Sequence, residues 1–222
     1  MALKLTGTPK SSCTLKVLLT LAEKGVSNYQ FIDMDLMKGE QKASKTSLPS
    51  HLSKQPFGVV PILEDGDICL YESRAICRYI ARKYQNVGTN LIPNMSDLKT
   101  MSQFEQWACV EMANFDVVAR PLQWEVIFKP LAGEAKNEQL IHSLVNTLAQ
   151  KLDVYDRAVP ANQQYMAGNT FSIVDIFYMP LMSYLFRMGY GDMIMDRPNV
   201  KTWWESVSSR DSWKRFGVSA TV

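Results

Sequence analysis

Apolar positions recur at two different spacings in the first part of the chain. Leu3 to Leu5 is a short extended run that ends at Gly7-Thr8-Pro9. Over 12–24, Leu15, Leu18, Leu19 and Ala22 fall at i, i+3, i+4 and i+7, one face of a helix, and Gly25 stands where a helix C-cap belongs. Tyr29-Gln30-Phe31-Ile32 reads as a second strand. Residues 37–55 are polar, rich in Lys and Ser, and predict a surface loop with a helical turn. Val59 to Leu63 is a β-branched run interrupted by Pro61, which marks a sheet edge or a turn with a cis peptide. Glu64-Asp65-Gly66-Asp67 is a hairpin signal with Ile68 to Tyr71 as the returning strand. Ala75, Ile76, Tyr79 and Ile80 then give a helix.

Past a stretch at 86–98 containing Asn, Gly, Thr, Pro and Ser, the pattern becomes helical throughout. A long helix is predicted over 97–128, carrying Phe104, Trp107, Ala108, Val110, Glu111 and Phe115, and Pro121 should kink or split it. Leu144, Leu148 and Leu152, with Val145 and Tyr155 beside them, predict another over 134–158, and two more follow at 173–187 and 199–209. Ser172 and Asp175 fit a capping box with Phe171 as its staple residue. The pattern therefore predicts an α/β domain over 1–85, a linker over 86–98 and an all-helical domain over 99–222.

Composition narrows the function. Of the 222 residues 46% are hydrophobic and 21% charged, which excludes a disordered chain. The 24 basic and 22 acidic residues nearly cancel, to a net +2, so no electrostatic nucleic-acid binder is expected. No apolar stretch reaches the roughly 18 residues of a membrane span. The opening MALKLTGTPKSSC lacks the continuous apolar core of a secretory signal, and the expected compartment is cytoplasmic. Cys13, Cys69, Cys77 and Cys109 form no C-x-x-C pair, and at least three are expected to be buried or inert. With His51 and His142 as the only histidines, no metal site is expected.

Phosphate-loop, dinucleotide, H-E-x-x-H and G-x-S-x-G motifs are all lacking. Three polar loops remain. Pro9-Lys10-Ser11-Ser12-Cys13-Thr14 separates the first strand from the first helix. Its serines can simply cap that helix, or a hydroxyl at the helix N-terminus can hold an anion such as a thiolate. The others are Phe57-Gly58-Val59-Val60-Pro61 and Tyr71-Glu72-Ser73-Arg74, in which Ser73 reads as the next N-cap. If all three meet at one sheet edge, an extended peptide can pair with the main chain of Val60.

In these stretches the chain resembles the cytosolic glutathione transferases, most closely the phi class of plants and some fungi. The resemblance runs over essentially the whole chain. It is carried by Thr8 to Thr14, Gly39-Glu40-Gln41-Lys42, Pro56 to Pro61 with Leu63 to Asp67, Glu72 to Ile80, Phe128-Lys129-Pro130 and Phe171 to Asp175. It implies a thioredoxin-like N-terminal domain that binds glutathione and an all-α C-terminal domain that lines the electrophile pocket. The implied reaction joins the glutathione thiolate to hydrophobic electrophiles, with reduction of organic hydroperoxides as a further activity. The alternative is a low-turnover carrier of apolar or aromatic ligands. A related two-domain unit in an elongation-factor subunit continues into a further domain that this sequence lacks. Glutathione is the co-substrate, no permanently bound cofactor is implied, and a homodimer is.

By the same resemblance Ser11 is the catalytic serine, with Ser12 the alternative donor to the sulfur. A free thiol has a pKa of about 8.5, so about 3% is ionised at pH 7. Lowering it by about two units requires roughly 2.7 kcal/mol, which one charge-assisted hydrogen bond and a helix N-terminus can supply. Glu72 and Ser73 match the pair that holds the γ-glutamyl end. Val59, Val60 and Pro61 fall in the glutathione-binding stretch, with the Val60 main chain meeting the cysteinyl unit. Lys42 meets the glycine carboxylate with Gln41 beside it. Gln41 stands where the family usually has His, and Val59 where it usually has Gln, so one polar contact is lost. The loop from Ala43 is about four or five residues longer than expected. Cys13 is read as a small hydrophobe of the first helix rather than a redox group. Lys10, Met37, Phe115, Ala119 and Leu122 match positions that face the electrophile, with core packing the competing role for the apolar ones.

Overall fold

A computed structural model describes residues 3–36, 38–40, 51–159 and 162–220, without the side chains of 218–220. The described chain divides into two compact units, Met1–Leu91 with Arg215–Ala220, and Ile92–Lys214.

The first unit is a four-stranded sheet in the order β2-β1-β3-β4 with helices packed on it. β1 (Leu3–Gly7) leads into α1 (Ser12–Glu23) and then β2 (Tyr29–Asp33), which pairs with β1 in parallel. After the short α2 (His51–Lys54) come β3 (Ile62–Asp65), antiparallel to β1, and β4 (Ile68–Leu70), antiparallel to β3. Gly66, at φ +65°, turns the hairpin. α3 (Ser73–Lys83) follows and packs against α1. Val59 to Pro61 lie ahead of the strand predicted to contain them: β3 begins at Ile62, where Thr6 first offers a partner. The Val60–Pro61 peptide is cis.

α1 is more deeply buried than one apolar face requires, because Lys16, Thr20 and Lys24 are buried with its leucines. Lys24 hides its stem and donates Nζ to the Thr89 carbonyl at 2.8 Å, while Thr89 donates its main-chain N–H to the Glu23 carbonyl at 2.8 Å and its hydroxyl to the Glu23 carboxylate at 2.7 Å. Between them Gly88, at φ +61°, lies so close that a Cβ there would fall 2.4 Å from the Glu23 carbonyl oxygen. The stretch expected to begin a linker at residue 86 therefore closes the C-terminal end of α1, and the first unit runs on to Leu91.

The second unit opens with one long helical run: α4 (Leu98–Val110), a π-helical turn at Glu111–Asp116, α5 (Val117–Gln123), a second π-helical turn at Trp124–Phe128, and α6 (Lys129–Leu131). Pro121 does not break it. The helix widens on both sides of the proline, a local answer to the missing N–H and the crowding of its ring. α7 (Glu138–Ala158), α8 (Ile173–Arg187), α9 (Asp192–Met195), α10 (Pro198–Ser208) and α11 (Asp211–Ala220) complete the chain. The sequence pattern missed α9 and α11, one only a turn long and the other weakly apolar. α8 is buried on every side from Ile173 to Leu185. Among the described residues, no helix is long and apolar enough to cross a membrane.

Asp175 anchors α8. Its carboxylate accepts the Ser172 main-chain N–H at 2.9 Å in a capping box, the Met166 N–H at 2.9 Å and the Trp203 indole N–H at 2.9 Å. Burial pushes this carboxyl up, and the donors around it oppose that shift. Asp175→Ala would leave those buried donors without an acceptor, so it is expected to lower stability by about 3–5 kcal/mol, read by denaturant unfolding.

Asp65 ties the β3–β4 hairpin to α3 by accepting from the Lys83 ammonium and from the Tyr79 hydroxyl at 2.7 Å. Lys83 first, then Tyr79, hold its carboxyl below the ordinary value. A depressed folded pKa adds stability above the unfolded value of about 3.9, and that stability is lost as pH falls through the folded value. Asp65→Asn is thus expected to lower the Tm at pH 7 by the equivalent of about 1 kcal/mol or less, since Lys83 is partly exposed. The gap from wild type should close in melts below pH 3.

Candidate active site

Register alone brings three loops together. Thr6, near the end of β1, pairs with Ile62, at the start of β3, and Leu63 pairs with Leu70, at the end of β4. The chain leaving β1, the chain entering β3 and the chain leaving β4 therefore share one end of the sheet. β1 and β4 run in the same direction, and each feeds a helix, so α1 and α3 both begin at that end. Two helix N-termini give it unpaired N–H groups and positive potential.

Ser11 is the N-cap of α1. Its main chain is extended, at φ −84° and ψ 123°, and its Oγ accepts the Thr14 N–H at 3.4 Å. The loop before it is closed by the Ser11 N–H on the Thr8 carbonyl at 2.9 Å. A hydroxyl carries one hydrogen and two lone pairs, so capping leaves the hydrogen to donate. Ser12 is buried in the first turn, Cys13 is half-buried and Lys10 is exposed. Gly7 leaves room for Thr14, whose fully buried hydroxyl has no hydrogen-bond partner among the described residues: a Cβ at Gly7 would meet it at 2.5 Å.

Val60 and Pro61 are buried, whereas the Val59 side chain is half exposed. The main chain of Val59 is held from below: His51 Nε2 lies 2.7 Å from its carbonyl oxygen and Gln55 Oε1 accepts its N–H at 3.4 Å. α2 is itself tied to the sheet by Lys54 Nζ on Glu64 Oε1 at 2.8 Å. These positioning residues, His51 and Gln55, escaped the sequence reading. They sit in a polar segment without periodicity, and only the buried state of Gln55 marks it as more than a surface residue.

The third loop departs from expectation by one residue. Glu72, not Ser73, is the N-cap of α3, and Ser73 is its buried first residue. Glu72 is the one non-glycine residue at positive φ among those described, at φ 69° and ψ 106°. Its side chain makes no capping bond, is exposed, and stands free of the helix it opens. Strain of this kind gathers at functional positions.

Gln41, Lys42 and Met37 lie outside the described residues. Phe115, Ala119 and Leu122 do not line an opening: they are 0%, 1% and 0% exposed within the helical unit, with the Phe115 ring 5.3 Å from that of Tyr178. Their role is core packing, because α5 and the π turn before it face α8. The cysteines differ in burial. Cys77 is buried, and burial pushes its thiol up to about 12, but Cys69 and Cys109 are exposed. Among the described residues, no group of three His, Cys, Asp or Glu side chains could hold a metal ion.

The fold and sequence have close parallels. The N-terminal domain model of the glutathione S-transferases matches residues 1–82 and the C-terminal domain model matches 115–211. Glutathione S-transferase F12 of Arabidopsis thaliana is 40% identical over 99% of both chains, and F10 of the same plant is 38% identical over 96% of both. The crystal structure of glutathione transferase F7 from Populus trichocarpa superposes with a TM-score of 0.90 at 34% identity, covering 99% of each chain. A maize glutathione S-transferase I, solved in complex with an atrazine glutathione conjugate, superposes at 0.86 with 28% identity, covering 99% of this chain and 98% of its own. The chain belongs to the glutathione S-transferase family, phi class, and is a glutathione transferase with a thioredoxin-like first unit.

Because Glu72 bears a main-chain conformation that glycine adopts freely, Glu72→Gly is expected to unfold at the same temperature as wild type or higher, despite the added freedom of the unfolded chain. Glu72→Val, bulky at the same φ, should melt lower. Calorimetry on the two variants checks both.

Proposed function

We propose that Ser11 activates glutathione for attack on an apolar electrophile. The observation that carries this reading is the N-cap geometry: Ser11 Oγ is fixed by the Thr14 N–H while its own hydrogen remains to donate to a sulfur. The thiolate so held also lies in the field of the α1 N-terminus. Together these lower the thiol pKa from about 8.5 toward about 6.5, so that most of the bound glutathione is ionised at pH 7.

The remaining contacts follow the chemistry of the tripeptide. The Glu72 carboxylate takes the α-ammonium of the γ-glutamyl end, and Ser73 at the α3 N-terminus takes its carboxylate. The main chain of Val60 pairs with the cysteinyl unit, flanked by Val59 and Pro61. Gln41 and Lys42 are assigned to the glycine carboxylate. Ser12, buried in the first turn of α1, is the alternative donor to the sulfur. Lys10 is placed on the electrophile side, and Phe115, Ala119 and Leu122 are left out of that pocket. The conjugate held by the maize relative supports an aromatic electrophile as second substrate.

With a hydroperoxide in place of a carbon electrophile, the same thiolate attacks the terminal oxygen. The O–O bond breaks, an alcohol leaves, and glutathione sulfenic acid forms. A second glutathione then displaces water to give the disulfide. We also infer a homodimer, supported by exposed apolar side chains on the first unit: Phe57 is 70% exposed and rests edge-on against Tyr71, with Val59 nearby in sequence. A cytoplasmic location follows the resemblance to cytosolic members.

The test is conjugation of glutathione to 1-chloro-2,4-dinitrobenzene by wild type, Ser11→Ala, Ser12→Ala and Cys13→Ser. Loss of one donor to a developing anion typically costs about 10²–10³ in kcat. Ser11→Ala should show that loss, with the kinetic pKa of bound glutathione rising toward about 8.5. Ser12→Ala and Cys13→Ser should stay within about tenfold of wild type, a difference of about 1.4 kcal/mol. Equal activity in Ser11→Ala and wild type would overturn the assignment.

A further inference from the structure

Both main-chain polar groups of Val59 are held by side chains of α2 and the residue after it. His51 Nε2 lies 2.7 Å from the Val59 carbonyl oxygen, and Gln55 Oε1 accepts the Val59 N–H at 3.4 Å. The two contacts act on different peptide planes. Gln55 holds the plane that joins Gly58 to Val59. His51 holds the plane that joins Val59 to Val60, because the carbonyl it meets shares that plane with the Val60 N–H.

That shared plane makes His51 a lever. The Val59–Val60 peptide is trans, and in a trans peptide the C=O and the N–H point in opposite directions. Whatever fixes the carbonyl therefore fixes the N–H. Among the described residues no hydrogen bond takes up the Val60 N–H, although the Val60 side chain is buried. It is a donor turned away from His51 and still uncommitted. A carbonyl oxygen offers only lone pairs, so the His51 contact requires the hydrogen on Nε2 and leaves the lone pair of a neutral ring on Nδ1. α2 is in turn fixed to β3, by Lys54 Nζ on Glu64 Oε1 at 2.8 Å, so the hold on Val59 is referred back to the sheet.

We propose that His51 is a positioning residue for glutathione: by holding the Val59 carbonyl it aims the Val60 N–H at the carbonyl oxygen of the cysteinyl unit. This rests on the reading that the Val60 main chain meets that unit, and adds which side chain sets the direction of the donor. Without His51 the plane loses this hold, and a donor that must first be ordered binds more weakly. The contact bears on the peptide and not on the sulfur, so His51 acts on binding and not on the thiolate.

Calorimetric titration of the full chain with S-methylglutathione, which carries the tripeptide without a thiol, tests the proposal beside steady-state conjugation of 1-chloro-2,4-dinitrobenzene. His51→Leu removes the donor and keeps much of the bulk at a partly exposed position, so the fold should survive it. It should weaken S-methylglutathione about three- to tenfold, the range of one net hydrogen bond, and raise the glutathione KM by the same factor. Its kcat at saturating glutathione and the kinetic pKa of bound glutathione should match wild type. His51→Gln, with an N–H donor at similar reach, should recover most of the loss. Ser11→Ala should still bind S-methylglutathione, so an error in the role of Ser11 leaves this measurement intact. Equal binding by wild type and His51→Leu, a fall in kcat with KM unchanged, or equal losses in His51→Leu and His51→Gln would each overturn the proposal. No binding by wild type would overturn the glutathione reading itself and the proposal with it.

Discussion

The antiparallel placement of β3 between β1 and β4 is the constraint on which the site depends. It makes β1 and β4 run the same way, so both helices that follow them start at one end of the sheet. Nothing about Ser11, Val60 or Glu72 in isolation would bring them near one another, because Val60 lies 49 positions after Ser11 and Glu72 a further 12. Two pairings, Thr6 with Ile62 and Leu63 with Leu70, suffice to do so. Such convergence gives a negatively charged peptide an end of the molecule where amide hydrogens face outward. The proposed chemistry then needs only one hydroxyl whose donor is not already committed, the role proposed for the N-cap residue Ser11.

The helical unit is organised around a different buried feature. Asp175 accepts bonds from a preceding loop, from its own helix start and from the indole of Trp203 on α10. A single carboxylate thereby sets the position of the most buried helix relative to two neighbours. Packing around it is aromatic: Tyr178 meets Phe115, Tyr155 and Trp203, with rings 5.3, 5.6 and 6.1 Å apart. The side chains of α5 that could have been read as facing a substrate contribute to this cluster's surroundings, which is why they are inaccessible.

The pattern is enough to read β1, β2, β4, the hairpin turn, α1, α3 and the four longer helical segments of the second unit, and it starts β3 three residues early. It failed where a residue's role is set by a distant partner. Lys16 and Lys24 look like surface residues on any local scale, yet they are buried, and Lys24 finds its acceptor 65 residues away at Thr89. His51 and Gln55 sit in a polar segment that carries no pattern, although they hold the main chain beside Val60. Phe115 and Leu122 fail in the opposite sense: an apolar residue at helical spacing carries the same signal whether it lines a pocket or fills a core. Glu72 shows the limit of capping rules, since Ser73 is the better N-cap by type and only main-chain geometry moves the cap back by one.

The junction of Glu23, Lys24, Gly88 and Thr89 bears on how the two units can be exchanged between relatives. A chimera that joins a foreign helical unit after residue 85 would carry the end of α1 without its cover. The Lys24 ammonium would have to find another acceptor, and any residue but glycine at the equivalent of position 88 would collide with the main chain of Glu23. Grafts joined beyond Leu91 keep this junction whole, so the modular boundary of the chain lies several residues past its last α/β helix.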